Sequence, residues 1–211
     1  MRSIWLVRHG NRLDFVQPEW FEYADRRYDP PLCPAGQQQA RELSQCLLSK
    51  PIDHVFVSPF LRTLQTAHYL TAAANLPMKL EAGLGEWHNP DWMTEAPVTH
   101  SLAMGLEGFE PIDRAYKSFV FPAYPESHEQ MSRRSVQAMQ MILERYSGNI
   151  LFVGHKAPLG SCFSALLGTE QCIDFEVGGI TELGFSGDRW QCIHQNDINH
   201  LTNPGIKVAP P

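Results

Sequence analysis

Strand-like and helix-like segments alternate over most of this 211-residue chain, which predicts an α/β sandwich built on a largely parallel sheet. Short apolar runs rich in β-branched and aromatic residues recur at 3–7, 54–57, 78–81 and 149–153. Several of the intervening segments carry apolar residues at helical spacing, bordered by recognisable start and stop residues.

The first run, "SIWLV" (3–7), is a strand that feeds directly into "RHG" (8–10). From Gly10 to Pro34 the chain turns polar and aromatic, and "DPPLCPAG" signals a loop. A helix follows over about 35–49, with Ala40, Leu43, Cys46 and Leu47 on one face. "HVFV" (54–57) is the second strand. Ser58 and Pro59 then read as an N-cap and a first-turn proline, opening a helix whose inner face is Phe60, Leu64, Ala67 and Thr71. "MKLE" (78–81) is a shorter third strand.

Residues 83–125 show no sustained period and are rich in Pro, Gly, Trp and Phe, so they read as an irregular insertion or lid. Ser127 and Gln130 form a capping box for a helix reaching about Tyr146. "NILFV" (149–153) is the fourth strand and ends in "GH" (154–155). A helix over 157–167 carries Leu159, Cys162, Phe163, Leu166 and Leu167 as its apolar stripe, and Gly168 closes it. Segments 180–186 and 189–194 read as a terminal hairpin, and the tail "NPGIKVAPP" as a fraying end. No repeat or linker divides the chain, so one domain is expected over 1–211, with the lid at about 83–125.

Composition narrows the function. With 43% hydrophobic and 19% charged residues the chain reads as globular, and its net charge of −6 opposes general nucleic-acid binding. Any anion site must therefore be a local gathering of cations. No secretory signal is visible in the opening residues, so none is expected, and no apolar run is long enough to span a bilayer. Five cysteines (Cys33, Cys46, Cys162, Cys172, Cys192) include no C-x-x-C pair, so free thiols and a cytoplasmic setting are expected.

In open α/β sheets, sites form at the carboxyl ends of strands. Three predicted strands end in "RHG", "SPFLR" and "GH", and the third is soon followed by "GEW" (85–87). If these strands are parallel neighbours, Arg8, His9, Arg62, Glu86 and His155 share one crevice. Two guanidiniums match phosphate oxygens bidentately and stay charged at any working pH. His9 can attack phosphorus through one ring nitrogen if a carbonyl fixes the other. His155 can donate to the equatorial oxygens as charge builds, and Glu86 can protonate the leaving alkoxide, then deprotonate water. Taken singly, each has a plainer reading: a turn histidine, a surface salt-bridge arginine, a helix-capping histidine. Their occurrence together at strand ends favours a site.

"LVRHG", "SPFLRTLQTA", "GLGEW" and "VGH", in this order, resemble the motifs of the histidine phosphatase superfamily, in its phosphoglycerate-mutase-like branch. "PLCPAGQQQA" (31–40) is similar to a further family motif, with Cys33 where threonine is usual. The resemblance spans roughly residues 3 to 195. Within the family, "RHG-x-R-x-D" with "EW" looks most like the group of ecdysteroid-phosphate phosphatases and ubiquitin-associated SH3-containing phosphatases, whose members usually carry glutamate at the position of Asn11. The resemblance implies a three-layer α/β/α sandwich. It also implies metal-free phosphoryl transfer with His9 as nucleophile, Arg8, Arg62 and His155 around the phosphate, and Glu86 as acid/base.

The expected function is thus a metal-independent phosphomonoester hydrolase acting through phosphohistidine on a small or bulky organic phosphate. Alternatives are a phosphoglycerate-type phosphomutase and a catalytically weak phosphate-binding module. No metal or cofactor is expected. The partner is a phosphorylated small molecule or phosphoprotein, with no nucleic acid and no membrane; the oligomeric state is open. Arg12 and Asn11, beside the nucleophile, are further candidates for substrate binding, Arg12 reading equally as a solvated charge. Asp91 and Glu95 are alternatives to Glu86, and Ser58 reads as a helix cap, a phosphate ligand or both. Lys156 is expected to be exposed. His88 is the one remaining histidine near the site, and the lid aromatics Trp87, Trp92, Phe109, Tyr116, Phe119, Phe121 and Tyr124 mostly pack the lid or wall a leaving-group pocket.

Overall fold

In the computed structural model, which describes residues 2–99, 108–170 and 173–204, the first apolar run is the strand β1 (Arg2–Arg8). Its four central side chains, Ile4 to Val7, are all buried, as befits a strand covered on both faces. The chain then makes a 3₁₀ turn (Leu13–Phe15) and the short helix α1 (Trp20–Tyr23) before α2 (Pro34–Leu47). At the start of α2 the Cys33 thiol accepts a hydrogen bond from Gly36 N at 3.4 Å, and Pro34 takes the first position, where no N–H is required. Then come β2 (His54–Val57), α3 (Leu61–Ala74), β3 (Met78–Leu80), α4 (His128–Arg145), β4 (Ile150–Gly154), α5 (Lys156–Leu167), β5 (Ile180–Ser186) and β6 (Arg189–Asp197).

The expected start of α3 is wrong. Ser58 does not cap it: the helix begins at Leu61, and Asp29 Oδ1, from a distant loop, accepts from Leu61 N at 2.6 Å. Ser58 N instead donates to Val153 O at 3.0 Å, extending the sheet ladder, and a residue before proline is held out of helical geometry. The capping box of Ser127 and Gln130 forms as expected, and Gly168 ends α5 with a left-handed φ of 62°. The extreme tail, residues 205–211, lies outside the described residues, as do His100 and Cys172.

The sheet has the order β3-β2-β4-β1-β5-β6. β3, β2, β4 and β1 run parallel, while β5 pairs antiparallel with β1 and β6 turns back antiparallel to β5, the predicted hairpin. Alternate residues face opposite layers. Trp5, Val7, Val55, Val57, Leu151 and Val153 pack with Leu43 and Leu47 of α2 and Leu64 and Leu70 of α3. Ile4, Leu6, Phe56, Ile150 and Phe152 pack with Met139 and Ile142 of α4 and Leu159 and Phe163 of α5. Each such burial contributes about 1.5–3 kcal/mol relative to exposure, and the result is a three-layer α/β/α sandwich.

Register places the functional loops. Val153 of the central strand β4 pairs with Val7 on one side and Val57 on the other, so the three parallel strands end level. The segment from 85 to 127 has no helix or strand among its described residues, apart from an isolated bridge between Met78 and Ile112. It is anchored by the fully buried Glu81, which accepts from Tyr116 OH and from the backbone N–H groups of Gly83, Phe119 and Val120. No described helix is long and apolar enough to cross a membrane.

Candidate active site

His9 leaves the end of β1 with its backbone N–H bonded to Gly154 O of β4 at 3.1 Å. Gly178 N donates back to the carbonyls of Arg8 and His9, so the loop after the strand is held on both sides. The His9 ring is 1% exposed, and its Nδ1 lies 2.7 Å from Gly10 O. A carbonyl only accepts, so Nδ1 carries the proton and Nε2 carries the lone pair. Burial lowers the His9 pKa well below the usual 6.5, and the charges of Arg62, Arg8 and Arg12 lower it further, which keeps the ring neutral and nucleophilic.

Two glycines allow the next turn. A Cβ on Gly10 would lie 2.6 Å from Gly36 O, and one on Gly36 would lie 2.0 Å from Asn11 O. The N-terminus of α2 and the nucleophile loop therefore meet backbone to backbone. Thr66 Oγ1 of α3 accepts from Gly10 N at 3.1 Å, and Gln39 Oε1 of α2 accepts from Asn11 N at 2.8 Å.

His155 leaves the adjacent strand β4, fully buried, with its ring centroid 5.3 Å from that of His9. Its Nδ1 lies 3.2 Å from Arg62 Nη2 and its Nε2 2.8 Å from Ser58 Oγ. Guanidinium can only donate, so Nδ1 accepts and the Nε2 proton goes to Ser58. Burial first, then Arg62 and His9, lower the His155 pKa well below 6.5.

Arg62, in the first turn of α3, is 1% exposed and stacks 4.5 Å over the Phe60 ring. Burial pushes its pKa down to about 10, with Glu86 partly opposing, so it stays charged. Its Nε and Nη1 are buried without a hydrogen-bond partner, as is Arg8 Nε. Arg8 Nη1 donates to Phe175 O at 2.6 Å, which fixes the guanidinium beside the crevice. Unpartnered buried donors on two cations call for an anion.

Glu86 completes the cluster. Its Oε2 lies 3.4 Å from His155 Nδ1 and 3.5 Å from Arg62 Nη2, and its Oε1 accepts from Trp87 N at 3.0 Å. Asp91 and Glu95 are exposed and take no part in this cluster. His9, Glu86 and His155 bring donor atoms within 4.8 Å of one another, a spacing a cation could use. The Arg62 guanidinium, already in contact with two of the three, opposes a metal ion there.

The structure thus brings Arg8, His9, Arg62, Glu86 and His155 together. Asn11 lies fully buried behind the loop, donating from Nδ2 to the Cys33 sulfur at 3.5 Å, with its Oδ1 unpartnered. Arg12 is paired with Asp14 and stacks on Phe15, yet it also lines the cleft beside Arg8 and Glu86. Lys156 is exposed and pairs with Asp174. His88 is buried with Nδ1 donating to Ala123 O, and its ring contacts Phe60, which in turn contacts His155. Cys33, Cys46, Cys162 and Cys192 are free thiols.

Sequence reasoning missed Thr66, Asp29, Gln39 and the Phe175 carbonyl, all of which position the cluster from other elements. Thr66 alone had a local signal, one helical turn after Arg62.

Comparison with known proteins agrees with the geometry. Residues 4–198 match the model of the histidine phosphatase superfamily (branch 1). The chain is 30% identical over 205 residues to the ecdysteroid-phosphate phosphatase of Drosophila melanogaster, covering 79% of this chain and 27% of that one. It is 29% identical over 258 residues to the human ubiquitin-associated and SH3 domain-containing protein A, covering 98% and 38%. It thus spans well under half the length of either relative. The fold matches the ecdysone phosphate phosphatase of Bombyx mori in complex with tungstate, with a TM-score of 0.74, 22% identity, and coverage of 100% of this chain and 97% of that one.

Proposed function

Because this chain belongs to the histidine phosphatase superfamily (branch 1), we propose that it hydrolyses phosphomonoesters without a metal, through a phosphohistidine formed on His9. The observation that carries this reading is a buried, neutral His9 facing two arginines that each keep buried N–H donors without a partner, Nε of Arg8 and Nε and Nη1 of Arg62. The His9 Nε2 lone pair forms the bond to phosphorus while the bond to the leaving oxygen breaks. Arg8 and Arg62 hold the non-bridging oxygens in place. His155 contributes there once its Nδ1, now accepting from Arg62, takes up a proton in the field of the incoming dianion. Glu86 delivers its proton to the leaving alkoxide, then accepts one from the water that attacks the phosphohistidine, releasing inorganic phosphate and restoring the neutral ring.

The leaving group has room. A cleft of about 850 Å³ opens beside Arg8, Arg12 and Glu86. Trp87, Trp92 and His128 form one wall, while α5 presents the small residues Ala157, Gly160, Ser161, Ser164 and Ala165 on the other. Such a trough suits an aryl or bulky organic phosphate, free or on a protein, better than a small glycolytic acid. Its openness also favours water over a second substrate as the acceptor, and so a phosphatase over a phosphomutase.

The test is hydrolysis of p-nitrophenyl phosphate in excess chelator, by wild type and His9→Ala. The proposal expects chelator-resistant turnover that falls at least ~10³-fold in the variant, given how slow the uncatalysed reaction is. Turnover surviving in His9→Ala refutes the phosphohistidine. Turnover only in the presence of a bisphosphorylated primer moves the reading to the mutase, and none at all to a phosphate-binding module.

A further inference from the structure

Glu86 sits on a segment with little structure of its own. Beyond a single 3₁₀ turn (Ala82–Leu84), residues 83–88 contribute no helix or strand, yet an acid/base must hold its carboxyl within hydrogen-bond reach of the leaving oxygen. The contacts of the carboxylate with His155 and Arg62 cannot set that position, because both partners are engaged by phosphate during the reaction.

One ion pair supplies the missing scaffold. Arg134, on α4, donates from Nη1 to Gly83 O at 2.9 Å and Gly85 O at 3.2 Å, and from Nη2 to Glu86 O at 3.2 Å. Its remaining two N–H groups go to Glu126: Nε to Oε2 at 3.1 Å and Nη2 to Oε1 at 2.5 Å. All five guanidinium donors are thereby used, three of them on the backbone that carries Glu86. Glu126 grips the next residues: it accepts from His88 N at 3.0 Å, and its carbonyl accepts from Trp87 Nε1 at 2.9 Å. Both partners are buried, Arg134 at 5% and Glu126 at 3% exposure. The segment also lies flush on the helix, since a Cβ on Gly83 would come 2.4 Å from Ala138 Cβ.

We propose that Arg134 is a positioning residue for the acid/base step: with Glu126 it clamps the main chain of 83–88 so that the Glu86 carboxyl meets the leaving oxygen. The inference rests on the reading of Glu86 as acid/base. A buried ion pair contributes little net stability but defines geometry, because the fork orients three carbonyls that an apolar side chain would leave unpaired. α4 is itself rigid, with Met131, Ala138, Met139 and Ile142 buried, so the chain of support runs from core to helix to guanidinium to Glu86.

The test exploits leaving-group chemistry. p-Nitrophenolate departs without a proton, whereas the alkoxide of phenethyl phosphate needs one; both place a ring in the cleft. Glu86→Gln is expected to lower kcat/KM about 100-fold or more for phenethyl phosphate and far less for p-nitrophenyl phosphate. Arg134→Lys keeps the charge and loses the fork. It is expected to show the same selective loss, about 100-fold against less than about 5-fold. The double variant is expected within about 3-fold of Glu86→Gln, since the two residues act as one unit. Glu126→Gln, which keeps an acceptor for His88 N, supplies the same comparison if Arg134→Lys does not fold.

Equal losses on both substrates in Arg134→Lys, or multiplicative losses in the double variant, overturn the inference while leaving the proposed reaction intact. No selectivity in Glu86→Gln overturns the assignment of Glu86 as the acid, and this inference with it.

Discussion

Replacing Gly36 by alanine sets helix propensity against backbone packing. Gly36 lies inside α2, where alanine is favoured over glycine by about 0.8–1.0 kcal/mol in an open helix. Propensity alone predicts a more stable protein. The structure predicts the opposite, because the new Cβ would lie 2.0 Å from Asn11 O, 2.8 Å from Asn11 N and 2.9 Å from Asn11 C. These are backbone atoms, with no rotamer through which to escape. Asn11 O also accepts from Cys33 N at 3.0 Å, so movement weakens the joint between the loop and the helix cap. Relief requires a shift of roughly 1 Å, with strain of about 1–3 kcal/mol for an overpacked site and about 1 kcal/mol for the weakened hydrogen bond. Net destabilisation of about 1–3 kcal/mol remains after the propensity gain. Because Asn11 is two residues from His9, the same shift should lower kcat/KM about 10²-fold. Urea denaturation with p-nitrophenyl phosphate turnover measures both. A variant more stable than wild type with unaltered kcat/KM would show that the close approach of Gly36 and Asn11 has no role.

Two further outcomes follow from the site. Arg62→Lys keeps a positive charge but loses the planar fork, so kcat/KM for p-nitrophenyl phosphate should fall about 10²–10³-fold; a value within 3-fold of wild type would contradict a bidentate role. Acid should destabilise the fold through His9 and His155. Their folded pKa values lie well below 6.5, so between those values and 6.5 the unfolded chain binds protons that the folded chain refuses. Stability is therefore full above 6.5 and falls as pH drops, by up to about 1.4 kcal/mol per pH unit for each histidine. Urea midpoints at pH 7.5, 6.0 and 5.0 check this, and a flat profile would mean that the two imidazoles charge freely in the folded state.

Most of the fold and five residues of the candidate site were legible in the sequence. Runs such as "IWLV" and "ILFV" are buried on both faces and so write a parallel strand as continuous apolar sequence. Arg8, His9, Arg62 and His155 stand at or just beyond strand ends, where loop chemistry is exposed to reading. The start of α3 was misread because Ser58-Pro59 has the composition of a helix start, while the ladder bond to Val153 and the distant cap from Asp29 decide otherwise. Arg134 was invisible for a related reason: on a helix surface it is one more charged residue, and only the fold brings Gly83, Gly85 and Glu86 to its guanidinium. Local sequence determined which segments are strands and helices and which residues could do phosphoryl chemistry, since propensity and residue type act over a few positions. Tertiary structure alone decided which tautomer His155 holds, which donors are left for an anion and what steadies Glu86. Those depend on hydrogen bonds between residues dozens to more than a hundred positions apart, formed only when the strands end level.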